Sequence, residues 1–162
     1  MEAGAHVTPP HGIDEVRKFY GNLKIERDPR GGWRIISPVT WEVANMIMLR
    51  DLPGMPGRRL FVNKLVVDPL LGALQQWQAT CPGYKILTIG CFCPRPKRVN
   101  GDLSMHTFGA AFDVNEATNP MQKPLKCDMP DAFIKAWTGQ GFTWGGTFST
   151  PDAMHFQYAS GY

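Results

Sequence analysis

Ile13, Val16, Phe19, Tyr20 and Leu23 recur at helical spacing directly after the breaker Pro9-Pro10, which predicts a short amphipathic helix over about 12–21. Gly21-Asn22 closes it. Leu65, Leu70, Leu71, Leu74 and Trp77 repeat the spacing and predict a second helix, starting near Asp68-Pro69, a pair suited to the N-cap and first helical positions. Its apolar stripe is expected to pack on a sheet. A third helix opens at Pro130 and runs to about Trp137, with Gly139 or Gly141 as its stop. Residues 85–90 carry the β-branched run of a buried strand, residues 110–114 alternate as another, and residues 154–158 read as a third. The segment 26–60 is rich in Pro, Gly and Arg, and within it only Trp33 to Ile36 has strand character. It is expected to be a long wrapped loop with little regular structure. Helices with strands around them, rather than a βαβ alternation, predict an α+β fold instead of a doubly wound sheet.

The chain of 162 residues is the size of one domain, with one active site or one binding surface, and neither a repeat nor a linker divides it. Hydrophobic residues at 43% supply a core and exclude disorder. The 17 glycines and 14 prolines follow no period, which agrees with long loops between short elements. A net charge of +3 nominates neither a nucleic acid nor a membrane as partner. The charge is uneven, however: residues 101–162 hold 3 basic and 6 acidic side chains, so carboxylates gather in the last third. Residues 1–10 lack the basic patch and apolar run of a secretory signal and are expected to be a flexible terminus. With no apolar stretch of bilayer length, the expectation is a soluble monomer made in the cytoplasm, without membrane insertion. Cys81, Cys91, Cys93 and Cys127 match no paired CxxC zinc pattern and read as free thiols of a reducing compartment. The Cys91-x-Cys93 pair would face opposite sides of a strand, which argues further against a shared metal.

Two of the four histidines lie in chemically dense blocks. The first is Ser104-Met-His106-Thr-Phe-Gly109-Ala-Ala111-Phe-Asp113; the second is Trp144-Gly-Gly146 followed by Asp152-Ala-Met-His155-Phe. A catalytic zinc takes three protein ligands and keeps one position open, and His106, Asp113 and His155 supply such a set. Gly109 and Ala111 are small enough for the backbone to turn closely past the ion, and Gly145-Gly146 gives the turn that returns His155 beside it. Asp152, three positions before a ligand, can take a proton from the attacking water and return it to a leaving amine.

These blocks resemble the signature of the zinc D-alanyl-D-alanine carboxypeptidase and L-alanyl-D-glutamate endopeptidase family. That family shares a Ser-x-His-x-x-Gly-x-Ala-x-Asp block and a later acidic-x-x-His block. The run Gly90-Cys-Phe-Cys-Pro94-Arg95-Pro-Lys-Arg98, the His11-Gly-Ile-Asp-Glu opening and the Trp-Gly-Gly turn are similar to its bacteriophage endolysin branch. The resemblance extends, with gaps, from about His11 to Tyr158. It implies one Zn²⁺ on His106, Asp113 and His155, Asp152 as general base and acid, and a nearby arginine for the developing oxyanion. Arg95 matches that arginine best and Arg98 is the alternative, the planar guanidinium being suited to hold a carbonyl or carboxylate oxygen. Ser104 is implied as a contact to substrate or to a ligand. The implied fold is the small domain of D-Ala-D-Ala metallopeptidases and hedgehog proteins, a central antiparallel sheet flanked by helices, with no separate wall-binding domain.

Two positions depart from the family. Asp152 stands where many relatives have Glu, and Gln157 where relatives often carry Glu, so a charge-dependent contact to substrate or to a ligand is not expected from position 157. Each site residue also has a plainer reading. A lone histidine is commonly a satisfied core or surface residue, Pro151-Asp152 can be a simple turn, and Pro94 to Arg98 a solvated loop. Trp144 reads as a core aromatic holding the metal strand or as the wall of a substrate pocket. His6 and His11 are peripheral. The reading the blocks favour is a zinc peptidase that cuts the stem peptide of peptidoglycan, a phage lysis enzyme reaching the wall through a holin-type partner. The alternatives are a D-alanyl-D-alanine carboxypeptidase and a non-catalytic, metal-stabilised wall-binding or virion protein.

Overall fold

Residues 7–162 are described by a computed structural model; residues 1–6, with His6 and most of the expected flexible terminus, lie outside them. Within the remainder of that terminus, Pro10 is buried and its carbonyl accepts from the Ser160 N–H (3.0 Å). Helix α1, Gly12–Tyr20, buries Val16 and Tyr20 one turn apart and ends at Gly21, whose φ of 114° only glycine adopts freely. The Tyr20 hydroxyl donates to the Tyr158 carbonyl (2.7 Å) and so ties this helix to the end of the chain.

The segment 26–60 is not a loop. It folds as two antiparallel hairpins around a short helix: β1 (Lys24–Arg27) with β2 (Trp33–Ser37), then α2 (Trp41–Asn45), then β3 (Met46–Leu52) with β4 (Met55–Asn63). Pro53-Gly54, which looks like loop punctuation, is the two-residue turn joining β3 to β4, with Gly54 at φ 72°. The alternation that would have marked these strands is weak because few of their positions are buried: none in β1 and β2, and in β3 only its two ends. In β3, Met46 and Leu52 are buried, while Ile47, Met48, Arg50 and Asp51 face outward. A bulge at Asp51 further breaks the period.

Helix α3, Val67–Thr80, follows a 3-10 turn over Lys64–Val66, so Asp68 and Pro69 sit inside the first helical turn rather than at the cap. Proline is tolerated there because the first turn's N–H groups have no intrahelical acceptor. The expected strand over 85–90 shrinks to β5, Ile89–Gly90. Its earlier part is held by a side chain instead: Asn115 Oδ1 accepts from the Leu87 and Thr88 N–H groups (2.8 and 3.1 Å), and Asn115 Nδ2 donates to the Lys85 carbonyl (2.8 Å). These bonds satisfy the backbone without a neighbouring strand.

The remaining strands are β6 (Ala111–Val114), β7 (Thr143–Trp144) and β8 (His155–Gln157). With β5 they form an antiparallel sheet in the order β5-β6-β8-β7. Helix α4, Asp131–Thr138, begins after Pro130 as expected. Phe112 and Phe156 are opposed across β6 and β8, and their shared face packs against Phe133, Trp137 and Phe142. Trp137 stacks on Phe156 at 4.9 Å between ring centroids, and Trp77 of α3 meets Phe133 edge-on at 6.1 Å. Each such side chain, fully buried, contributes about 1.5–3 kcal/mol of apolar transfer, and together they fix the sheet from behind. Among the described residues no helix is long and apolar enough to cross a membrane.

Candidate metal and catalytic site

Because side chains alternate along a strand, the pairing that sends Phe112 and Phe156 into the core sends Asp113 and His155 to the opposite face. The two are directly opposed in the β6/β8 register. His106 arrives from a 3-10 turn, Met105–Phe108. Ser104 caps that turn by accepting from the His106 N–H (3.3 Å), and Gly109 ends it at φ 63°. Gly109 is small for a reason other than the expected one. A Cβ there would meet Met46 and, at 3.0 Å, the Asn63 backbone nitrogen, so the close approach is to the β3/β4 hairpin rather than to a metal. The Asn63 N–H donates to the Gly109 carbonyl (2.9 Å), and Asn63 Nδ2 donates to the Phe108 carbonyl (3.0 Å).

One carboxylate oxygen, Asp113 Oδ1, stands 3.2 Å from His106 Nε2 and 3.0 Å from His155 Nδ1. All three ligand atoms lie within 4.8 Å of one another. A tetrahedral zinc with bonds of about 2.1 Å separates its ligand atoms by about 3.4 Å, and the two distances from Asp113 to the rings stand near that spacing. Their partners fix what each presents. The Cys91 carbonyl faces His106 Nδ1 at 2.6 Å and the Gln157 Oε1 faces His155 Nε2 at 2.9 Å. Carbonyl oxygens can only accept, so each neutral ring carries its proton on the outer nitrogen and turns a lone pair toward Asp113. Three lone-pair donors converging without protons between them call for a cation. His106 Nε2 is accordingly buried with no hydrogen-bond partner. Without a cation a ring proton takes its place: burial would raise the Asp113 pKa, but hydrogen bonds from His106 and His155 then hold it well below the usual carboxylate range, and burial would lower the His155 pKa, but its bond to Asp113 then raises it above the ordinary value.

The same cleft, about 460 Å³, is lined by Asp113, His155, Gln157, Asp152, Arg95, Arg98 and Ser104, among others. Asp152 lies on the loop into β8. Its N–H donates to the Gly145 carbonyl (2.8 Å) and its own carbonyl accepts from the His155 N–H (3.1 Å). Asp152 Oδ1 is buried without a partner, and burial raises its pKa. Arg95 is fastened to the turn that carries His106. Its N–H donates to Thr107 Oγ1 (2.9 Å), and its carbonyl accepts from Thr107 Oγ1 and the Ser104 N–H (both 3.0 Å). Among the described residues four buried side-chain atoms have no partner. Two of them, Arg95 Nε and Asp152 Oδ1, belong to residues lining this cleft, and a third, His106 Nε2, faces Asp113.

Arg98 is exposed on the cleft rim. Trp144 is not among the cleft's lining residues; it donates to the Ala153 carbonyl (2.8 Å) and braces the loop behind Asp152. His11 is exposed beside Ser160. The four cysteines are free, with Cys91 buried and Cys93 exposed. Two contributors escape a reading of the sequence. Cys91 acts through its carbonyl, which leaves no mark in residue type, and Thr107 through a hydroxyl whose partner, the Arg95 backbone, lies twelve positions away. Gln157, named in the sequence as a departure from the family, shares the face of His155 two positions along the strand and meets its Nε2.

Residues 98–158 match a peptidase family model described as D-alanyl-D-alanine carboxypeptidase. The matched stretch contains His106, Asp113, Asp152 and His155, and stops short of Arg95. No curated protein and no solved structure matches the chain.

Proposed function

We propose that the protein is a zinc-dependent peptidoglycan peptidase that hydrolyses an amide bond of the cell-wall stem peptide. In this reading it is an endopeptidase of the phage endolysin kind, acting at the L-Ala-D-Glu or D-Ala-diamino acid bond. The observation that carries the reading is the convergence of three proton-free donors in a cleft that also holds the unpartnered, buried oxygen of Asp152. When bound by His106, Asp113 and His155, zinc supplies Lewis acidity and lowers the pKa of water toward neutrality.

The chain's own groups do the rest. Asp152, deprotonated but raised in pKa by burial, takes the proton of the attacking water and hands it to the amine that leaves. Arg95, whose backbone is clamped to Thr107, serves the carbonyl oxygen through its guanidinium as that oxygen becomes negative. Ser104 positions His106 by capping its turn, and Gln157 orients His155 through Nε2. In this reading the enzyme works on the wall after release through a holin-type lesion.

A D-alanyl-D-alanine carboxypeptidase is the second reading. It is favoured by the description of the matched family and by Arg95 and Arg98 at the cleft, which could clamp a terminal carboxylate. Purified protein loaded with zinc and incubated with defined muropeptides, followed by mass spectrometry, tests both. Two peptide fragments are the expected result, loss of a single D-Ala selects the carboxypeptidase, and intact muropeptides overturn both in favour of a metal-stabilised binding module.

A further inference from the structure

A second hollow, beside the catalytic cleft, is framed by the β1/β2 hairpin and the segment 92–98. Arg27, Trp33, Phe92, Arg95 and Arg98 line it, and its ten lining residues include no acidic side chain. Arg95, Pro96 and Arg98 line both spaces, so the two adjoin along this segment.

The arginines of the hairpin fall into two kinds. Arg30 is paired with Asp28 (2.9 Å), and Arg34 donates through Nε to Glu26 (2.9 Å). Among the described residues Arg27, Arg95 and Arg98 form no ion pair, and these are the three that meet at the hollow. Arg27 is held there by stacking on Trp33, 4.5 Å from guanidinium carbon to ring centroid, an arrangement that orders a guanidinium while leaving its N–H fork free. Three guanidinia without ion pairs, around a space without acids and with two aromatic walls, have the chemistry that suits a carboxylate.

We infer that this hollow is a subsite that binds a carboxylate-bearing part of the peptide substrate away from the bond being cut, with Arg27 and Trp33 as its specificity-determining residues. The inference rests on the peptidase reading for the identity of the substrate. Arg95 joins the two spaces, so a carboxylate seated in the hollow would place the peptide along the cleft past Asp152. Apart from Arg98, the lining residues precede the stretch matched by the family model, so the subsite is built by the part of the chain outside that match.

The test uses muropeptides released from peptidoglycan by a muramidase, in their natural form and with carboxylates amidated. Binding is measured by calorimetry on the zinc-loaded Asp152→Ala protein, and turnover on the Asp152 enzyme. The expected result is at least 10-fold tighter binding of the natural form, reduced to within 2-fold of the amidated form by Arg27→Gln and largely restored by Arg27→Lys. In turnover, Arg27→Gln should raise KM with kcat unchanged. Equal binding of both forms, or equal weakening of both by Arg27→Gln as for a sugar-stacking surface, overturns the inference. Circular dichroism confirms that the variants fold. Carboxylate-selective binding without cleavage would refute the peptidase reading while sustaining the subsite, and cleavage without selectivity would do the reverse.

Discussion

Gly145 offers a sharp test of how the catalytic loop is positioned. A Cβ at this residue would lie 2.5 Å from the Asp152 carbonyl oxygen, 3.0 Å from His155 Cβ and 3.2 Å from Asp152 Cβ. Real Cβ contacts stay beyond 3.0 Å, so Gly145→Ala requires a shift of at least about 0.5 Å. The first atom it meets is backbone, which cannot swing aside like a side chain. The loop is also bonded on both sides of the clash, Asp152 N–H to the Gly145 carbonyl and His155 N–H to the Asp152 carbonyl. The displacement therefore falls on the proposed base and a proposed ligand together. Overpacking of this kind costs about 1–3 kcal/mol, which in a domain of this size lowers the melting temperature by about 2–12 °C. A displacement approaching 1 Å in a catalytic group can reduce turnover by about 100-fold. Thermal unfolding of the metal-free protein and muropeptide turnover of the zinc-loaded protein measure the two effects separately. A Gly145→Ala protein that melts and turns over like its parent would refute the close approach and the role assigned to this loop.

Three further predictions address single contacts. Gln157→Leu removes the acceptor of His155 Nε2 and should weaken zinc binding about 10- to 100-fold in a competitive chelator titration, whereas Gln157→Glu should retain it. Asp152→Asn should abolish turnover while keeping zinc. Because burial raises the Asp152 pKa, the stability this residue contributes is fully present below its unfolded pKa and is lost as pH rises through the folded one. Denaturant unfolding in chelator should therefore find Asp152→Asn the more stable protein at pH 7, with the gap closing below pH 4. The Tyr84 hydroxyl, donating to Asp128 (2.6 Å), has its pKa pushed up to about 12, first by burial and then by that bond. Its contribution is intact below pH 10 and lost between about pH 10 and 12, so Tyr84→Phe should flatten the fall in unfolding free energy across that window.

The residues of the candidate site were easier to pick out in the sequence than the scaffold around them. His106, Asp113, Asp152 and His155 stand in two short blocks, and a strand's period of two already places Asp113 opposite in face to Phe112. The helices were legible for a similar reason: the stripes of α1, α3 and α4 are long enough to show their period, and Gly21 and Pro130 punctuate them. The hairpins β1/β2 and β3/β4 were not, because β1 and β2 bury no residue, Arg50, Asp51, Arg58 and Arg59 interrupt the apolar positions of β3 and β4, and Pro53-Gly54 serves equally as hairpin turn or loop. Residues 85–88 misled in the opposite sense. Their β-branched composition suits a strand, but Asn115, twenty-seven or more positions away, takes their hydrogen bonds, and no local pattern encodes that.

The direct opposition of Asp113 and His155 across β6 and β8 bears on the order in which the site comes into being. Both side chains are set by ladder register and by the aromatic layer behind it, so they meet as soon as the sheet forms, before any ion is present. His106 alone depends on a separate fastening, through the Ser104 cap, the Cys91 carbonyl and Asn63. A metal ion bound there would meet two ligands already set by the sheet and a third set by the Met105–Phe108 turn. Capture and release of the metal should be governed by the Met105–Phe108 turn, with the domain itself remaining folded throughout.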